Sequence, residues 1–230
     1  MKNENDDNVT DLEKARRRLI PANDQPTHEP VLNMPPTTQY LGLAILGSFI
    51  VIKLLPDTLA FSLMLQGGVI PARYTGDLPF TPEAAIAPLT HMFIHGGWLH
   101  LAINLGTLLA FGAGLEKTIG GRALLALFFL SGLIGAGVHV LFYPHLQGPM
   151  IGASGAISGL FGAVLMMMHQ NGVMGDSYRK LLPFIAIWIG ISLFFGFFGM
   201  PGSDTAIAWT THIGGFLAGI FLYRPVTRRV

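Results

Sequence analysis

Residues 152–170 read GASGAISGLFGAVLMMMHQ, an apolar stretch in which small residues recur along one side. Its length is close to the roughly 20 residues that a helix needs to cross a bilayer. Gly155, Gly159 and Gly162 fall on successive turns, and such a stripe of small residues lets a second helix approach closely in lipid. Ser154 opens the stretch, so the sequence predicts a closely packed transmembrane helix with a serine at one end.

The composition of the whole chain also indicates a membrane protein. Of its 230 residues 51% are hydrophobic and only 12% are charged, against about 25% charged in a typical soluble domain. The net charge of +1 gives no electrostatic reason to expect a nucleic-acid partner. The absence of cysteine excludes disulfides, thiol catalysis and cysteine-ligated zinc. We therefore expect the lipid bilayer to surround most of the chain.

Apolar segments long enough to span lipid follow one another from residue 39 onward, and they predict an all-α bundle of six transmembrane helices. The six predicted segments are 39–62, 96–115, 122–143, 152–170, 180–200 and 205–223. The polar residues 1–38 predict a disordered cytoplasmic tail, and residues 224–230 a short basic cytoplasmic tail. The long, rather apolar connection 63–95 predicts a first loop that is partly embedded in the membrane.

The positions of lysine and arginine predict the orientation of the chain. With the N-terminus inside the cell, all but Lys53 and Arg73 of the 14 basic residues fall on the cytoplasmic side. Short cytoplasmic loops carry an excess of basic residues, so both termini are predicted to be cytoplasmic. The membrane we expect is a bacterial inner membrane.

Polar side chains occur at one depth on three alternate segments. His100 and Asn104 lie one turn apart near the start of the second segment, Ser154 opens the fourth, and His212 lies about two turns into the sixth. These three segments run in the same direction, so all four side chains are predicted in the outer third to half of the membrane. Polar and ionisable groups inside a bilayer are costly and usually functional, which makes this a candidate site.

The glycine pattern predicts which of these side chains meet. His212, Gly215 and Gly219 share one face of the sixth segment. Packing this face against the stripe that contains Gly155 and Gly159 would bring Ser154 within hydrogen-bond distance of His212.

These residue types indicate acyl-transfer chemistry. Serine is a weak nucleophile without an adjacent base, and His212 is the one candidate base on the neighbouring face. No acid is placed to orient that histidine, so we predict a Ser-His dyad and not a triad. The backbone N–H of Ser154 and the side chains of His100 and Asn104 would donate to the oxyanion. Water would enter through a cavity open to the outside, and no cofactor or metal is expected.

Other interpretations of the same residues stay open. Ser154 alone is compatible with simple helix packing, and the histidines could line the pathway of a transporter. A non-catalytic membrane protein that binds client helices is a further alternative. His91, His95 and His100 could suggest a metal site, but we interpret His95 as a brace for the first loop. A cluster of phenylalanines near the outer end of the fifth segment suggests a substrate gate.

Three ordered motifs resemble those of a known family. They are His95–Asn104 (HGGWLHLAIN), residues 152–155 (GASG) and residues 212–219 (HIGGFLAG), which look like the motifs of rhomboid intramembrane serine proteases. The resemblance covers about residues 39–223 and implies a six-helix rhomboid-like bundle. It also implies substrates with a single membrane helix, cut near the outer membrane surface.

The resemblance implies a role for each matched residue. Ser154 would be the nucleophile and His212 its base, His100 and Asn104 oxyanion donors, and His95 a structural residue of the first loop. The sequence departs from the family at two points. Many rhomboids carry a Trp-Arg pair in the first loop, which is absent here, and Ser158 occupies a position that is often tyrosine.

Overall fold

The fold is described from a computed structural model that covers residues 34–173, 177–198 and 208–228. These residues form helices and no β-strand, with a single isolated antiparallel bridge between Val69 and Met150. The all-α prediction is confirmed. The first 33 residues of the predicted cytoplasmic tail lie outside the described part of the chain.

The described α-helices are numbered here in chain order, and two 3-10 turns, His91–Phe93 and Tyr178–Leu181, lie between them. The helices are α1 Pro36–Leu54, α2 Asp57–Gly67, α3 Ala72–Thr75, α4 Pro82–Thr90, α5 Trp98–Ile119, α6 Gly121–Phe142, α7 Ser154–Gln170, α8 Leu182–Phe198 and α9 Trp209–Thr227.

Four spans in the described residues are long and apolar enough to cross a membrane. They comprise α1, α5, α6 and the stretch Tyr178–Phe198, which joins the second 3-10 turn to α8. The other two predicted spans coincide with α7 and α9. Their crossing of the membrane stays a prediction, as do the boundaries of the membrane domain.

The first predicted segment is interrupted, which corrects the single helix expected over residues 39–62. α1 ends at Leu54, and α2 begins at Asp57. Pro56 has no backbone N–H and disfavours a helical conformation in the residue before it, and Leu55 is accordingly extended, with φ −81° and ψ 156°. The remainder of the predicted first loop also contains the short helices α3 and α4.

Other helix ends differ from the predicted bounds by a few residues. α5 continues to Ile119, beyond the predicted end at 115, and α9 continues to Thr227, into the predicted basic tail. α1 begins at Pro36, within the predicted N-terminal tail. Parts of the fifth and sixth predicted segments, residues 199–200 and 205–207, lie outside the described residues.

A buried carboxylate fixes the start of α1. Glu116, near the end of α5, accepts hydrogen bonds from the backbone N–H groups of Thr37 at 2.9 Å and Thr38 at 2.7 Å. It also accepts from the Thr38 hydroxyl at 2.8 Å. The first N–H groups of a helix lack intrahelical partners and favour negative charge, so Glu116 ties α1 to α5.

The helix α7 occupies the centre of the bundle. Ten of its 17 residues are buried, and it packs against α5, α6 and α9. The surrounding core contains fully buried large side chains, among them Phe49, Phe128 and Phe216. α8 lies at the periphery, because only 12% of the span that contains it is buried.

Candidate active site

The two predicted glycine faces meet at the crossing of α7 and α9. A Cβ atom added to Gly215 would overlap the carbonyl group of Gly155, and one added to Gly219 would overlap the carbonyl group of Gly159. A Cβ at Gly162 would likewise collide with the Phe216 carbonyl oxygen. The backbones of the two helices therefore touch directly, as the small-residue pattern predicts.

This contact brings the serine and histidine together. Ser154 is the first residue of α7, and His212 lies in the first turn of α9. The Ser154 Oγ and the His212 Nε2 are 2.8 Å apart. A neutral imidazole with an unprotonated Nε2 accepts the serine hydroxyl proton in this arrangement, which is the contact that a general base needs.

Two threonines anchor the turn that carries His212. The Thr210 hydroxyl is hydrogen-bonded to His139 Nδ1 at 2.8 Å, and the Thr211 hydroxyl donates to the Met150 sulfur at 2.8 Å. Both threonines are buried. His139 is not among the predicted site residues, although a histidine within an apolar segment is a signal of function.

His100 lies beside the serine. Its imidazole packs on Gly152, where an added Cβ would be 2.8 Å from both Cε1 and Nε2 of the ring. The same added atom would be 3.9 Å from Ser154 Oγ, so the ring and the hydroxyl flank one glycine. Gly152 has φ +119°, a conformation that side-chain-bearing residues rarely adopt.

Asn104 is buried one turn further along α5. Its Nδ2 donates to the His100 carbonyl oxygen at 2.8 Å, and its side chain lies beside His95. One N–H of the amide therefore bonds within its own helix. The buried Oδ1 of the amide has no hydrogen-bond partner among the described residues.

His95 connects the first loop to the turn before Ser154. Its Nε2 accepts a long hydrogen bond, 3.4 Å, from the Ala153 N–H, and its ring meets His100 with centroids 5.0 Å apart. Burial, together with the neighbouring His100 imidazole, lowers the pKa of His95 to about 4. The ring is thus neutral near pH 7 and able to accept this bond.

His91 contributes to the same connection. Its carbonyl oxygen accepts a hydrogen bond from Gly152 N–H at 2.8 Å, and its side chain is fully buried. Burial is the main reason that the pKa of His91 falls to about 4, and His139 lowers it further. Backbone and side-chain bonds from the His91–His95 stretch thus hold residues 152–153.

Ser158 lies one turn after Ser154 on α7. Its hydroxyl donates to the Ser154 carbonyl oxygen at 2.7 Å, so the side chain bonds to its own helix. The His212 ring is hydrogen-bonded to Ser154, and the neighbouring Thr210 and Thr211 anchor the turn that carries it. The metal alternative receives no geometric support within the described residues, which contain no group of three histidine or acidic side chains able to hold an ion.

Comparison with known proteins identifies the family. The model of the Rhomboid domain family matches residues 83–229, more than half of the chain. The chain belongs to the rhomboid family. With four membrane-spanning candidates in its described helices, this rhomboid is a multi-pass membrane protein.

Relatives of this rhomboid come from plants and bacteria. RHOMBOID-like protein 5 of Arabidopsis thaliana is 36% identical over 131 residues, covering 57% of this chain and 40% of the relative. The Rhomboid protease GluP of Bacillus subtilis (strain 168) is 34% identical over 133 residues, which are 58% of this chain and 24% of the relative.

A third relative is named as inactive, in contrast to the relative that is named as a protease. The Inactive RHOMBOID-like protein 8 of Arabidopsis thaliana is 32% identical over 147 residues, covering 62% of this chain and 40% of the relative. The chain therefore spans less than half the length of these curated relatives. Family membership follows from the match, whereas activity has to be argued from the site.

Proposed function

We propose that this rhomboid is an intramembrane serine endopeptidase that cleaves the transmembrane segments of single-span membrane proteins near the outer membrane surface. The observation that carries the proposal is the 2.8 Å contact between Ser154 Oγ and His212 Nε2 at the crossing of α7 and α9. The likeness to a protein named as a rhomboid protease supports the same reaction class.

The proposed reaction has two halves. Ser154 Oγ attacks the scissile carbonyl carbon while His212 Nε2 takes the hydroxyl proton, and the carbonyl π electrons move onto oxygen. When the tetrahedral intermediate collapses, the C–N bond breaks and His212 gives the proton to the leaving amine. Water then attacks the acyl-enzyme with His212 again as base, which releases the acid and restores the serine.

The developing oxyanion requires donors near Ser154. We assign this role to the Ser154 N–H, at the start of α7 where backbone N–H groups lack helical partners, and to the side chains of His100 and Asn104. The contact of the His100 ring with Gly152 supports the assignment. Removing one such donor typically lowers kcat by about 10²–10³-fold.

The remaining site residues have supporting roles in this proposal. His95 holds the turn before the nucleophile through the Ala153 N–H. Gly155, Gly159, Gly215 and Gly219 allow the backbone contact without which the base would be out of reach.

We further propose that the protein lies in a bacterial inner membrane with both termini in the cytoplasm. The distribution of lysine and arginine supports this orientation, which puts the start of α7 toward the outside. The chain lacks cysteine, so single cysteines introduced at position 2 and in the α3–α4 connection can be probed separately. A membrane-impermeant maleimide applied to intact cells is expected to label the loop variant and not the terminal one.

The decisive experiment compares Ser154→Ala with Ser131→Ala. Each change removes one hydroxyl, but the buried Ser131 hydroxyl has no hydrogen-bond partner among the described residues. With a single-span reporter in liposomes, Ser154→Ala is expected to abolish cleavage and Ser131→Ala to retain it. Cleavage by Ser154→Ala at the wild-type rate would refute the proposal.

Covalent labelling separates the protease from a transporter. A serine-directed fluorophosphonate is expected to label the wild-type protein and to label neither Ser154→Ala nor His212→Ala. A transporter would give no site-specific label in any variant.

A non-catalytic client-binding function is the second candidate, because one relative is named inactive. Such a protein would keep both client capture and its cellular function after Ser154→Ala. The protease instead keeps capture and loses function, so one variant tested in both assays distinguishes the two.

A further inference from the structure

A cavity lies at the opposite ends of the two helices that carry Ser154 and His212. Its volume is about 480 Å³, and it is lined by His169, Gln170, Arg224, Thr227 and Arg228. From Ser154 to Gln170 the helix α7 is about 24 Å long at 1.5 Å per residue. The cavity is therefore a separate site, at the other surface of the bundle.

The side chains at this cavity are held in place by the second 3-10 turn. Arg224 Nη2 donates to the Tyr178 hydroxyl at 3.0 Å, and the Tyr178 ring lies on the His169 ring with centroids 4.0 Å apart. Tyr178 thus fixes both an arginine and a histidine of the lining. A guanidinium has five N–H donors, so this one bond leaves Arg224 with others for a ligand.

His169 lies against the Tyr178 ring, and its Nδ1 is covered by protein and forms no hydrogen bond within the described residues. The histidine is therefore part of the wall of the cavity, and the two arginines are the side chains that offer donors to a ligand.

The described side chains of the lining carry charge of one sign. They include two arginines and no acidic residue, and neither arginine forms an ion pair with any described residue. Basic residues are favourable near the C-terminal end of a helix, which accounts for Arg224 in the last turn of α9. This helix-end effect accounts for the arginine alone. It does not account for the cavity, or for the tyrosine that holds the arginine beside a histidine.

We propose that this cavity binds the phosphate group of an anionic ligand, supplied by a phospholipid headgroup or by free phosphate. Arginine matches phosphate oxygens with paired N–H donors, and basic pockets between membrane helices suit anionic headgroups. In the orientation proposed above, the cavity opens at the cytoplasmic leaflet. The binding does not depend on the chemistry of Ser154.

Thermal unfolding of the full chain in a neutral detergent tests the proposal. Phosphatidylglycerol, phosphatidylcholine and inorganic phosphate are each titrated, and the midpoint is followed, since a ligand that binds the folded state raises it. A rise with phosphatidylglycerol alone identifies a lipid site, and a rise with phosphate alone identifies a site for the free anion. A rise with both phosphatidylglycerol and inorganic phosphate shows that the phosphate group is sufficient for binding. No rise with either of these two ligands overturns the proposal.

A pair of double variants separates the cavity from general surface charge. Arg224→Gln with Arg228→Gln removes two positive charges from the lining, whereas Lys117→Gln with Arg122→Gln removes two from the adjoining ends of α5 and α6. The first pair is expected to raise the Kd of the effective ligand about 30-fold and the second to leave it nearly unchanged. Equal losses in the two pairs would disprove a specific site.

A conservative variant covers the case in which the glutamine pair does not fold. Arg224→Lys with Arg228→Lys keeps both charges and removes the paired donors. Its Kd is expected to lie between those of the wild type and the glutamine pair. Wild-type affinity in this variant, with loss in the glutamine pair, would show diffuse attraction and contradict the proposed phosphate geometry.

Discussion

The helices α7 and α8 are both apolar and both 17 residues long, yet their surroundings are opposite. Ten residues of α7 are buried, while only 12% of the span that contains α8 is buried. That span is the most apolar of the four membrane-spanning candidates. Burial in this molecule therefore does not follow hydrophobicity.

The difference between the two helices follows from side-chain size. Lipid chains are as apolar as leucine, so large apolar residues gain little by leaving the bilayer, whereas small residues allow helices to pack through their backbones. α7 has glycines against α9, and α8 presents exposed Ile187 and Phe197. Close packing fixes the position of Ser154, whereas α8 has few buried residues.

The largest effect is expected when the α7–α9 contact is opened. Gly215→Ala places a methyl group on the Gly155 carbonyl, so it is expected to destabilise the protein by about 3 kcal/mol and to separate Ser154 from His212. Gly190→Ala in α8 is the matched control, because nothing lies within 4 Å of an added Cβ there. Unfolding in mixed detergent and reporter cleavage measure both changes. Equal stability of the two variants would invalidate the comparison.

The hydrogen bonds between Glu116 and the start of α1 provide a second comparison with α8. α1 is a peripheral helix like α8, but the carboxylate of Glu116 bonds to the start of α1. Glu116→Gln loses the negative charge and one acceptor oxygen, and is expected to cost about 1.5–3 kcal/mol of unfolding free energy. Glu83→Gln, at a half-buried position in the first turn of α4, is expected to change it by less than about 1 kcal/mol. A Glu116→Gln protein as stable as Glu83→Gln would mean that packing alone holds α1.

The sequence predicts the helix packing at the centre of the molecule better than the helix boundaries at its periphery. The spacing of Gly155, Gly159, Gly215 and Gly219 was sufficient to predict the close helix crossing, because in lipid small residues determine contact. The break at Pro56 was not predicted, although Lys53 and Asp57 interrupt the apolar run on either side of it. The bond between His139 and Thr210 could not be predicted, because the distance along the chain carries no information on which turns of α6 and α9 face each other.

Acidification is expected to weaken the segment that supports the nucleophile. Burial holds the pKa of both His91 and His95 at about 4, against an ordinary value of 6.5. Between pH 6.5 and 4 the unfolded chain binds more protons than the folded one, so stability is full above pH 6.5 and decreases as the pH falls toward 4. The loss is about 2 kcal/mol per histidine at pH 5.

Unfolding midpoints measured from pH 7.5 to 4 test this dependence without relying on activity. His91→Asn and His95→Asn are expected to be less stable at pH 7 and to show a shallower decrease with acid than the wild type. Gln66→Asn, at an exposed position without a titratable side chain, is the control and is expected to keep the wild-type slope. A wild-type slope in both buried variants would assign the acid sensitivity to other groups.

The smallest effect on stability is expected for a substitution in α8, the helix in which the sequence suggests a substrate gate. The Phe197 ring is 74% exposed and stacks near Trp209 of α9, with centroids 6.3 Å apart. Phe197→Ala removes this contact and little buried surface, so the unfolding free energy is expected to change by less than about 0.5 kcal/mol.

If α8 moves aside to admit a substrate helix, reporter cleavage by Phe197→Ala rises about threefold, since an aromatic pair contributes about 0.5–1.5 kcal/mol. Ile187→Ala, equally apolar and 60% exposed, is expected to leave the rate unchanged. A Phe197→Ala rate at or below the wild-type value would mean that the α8–α9 contact does not restrain substrate entry, and that loose packing of α8 has no part in the reaction.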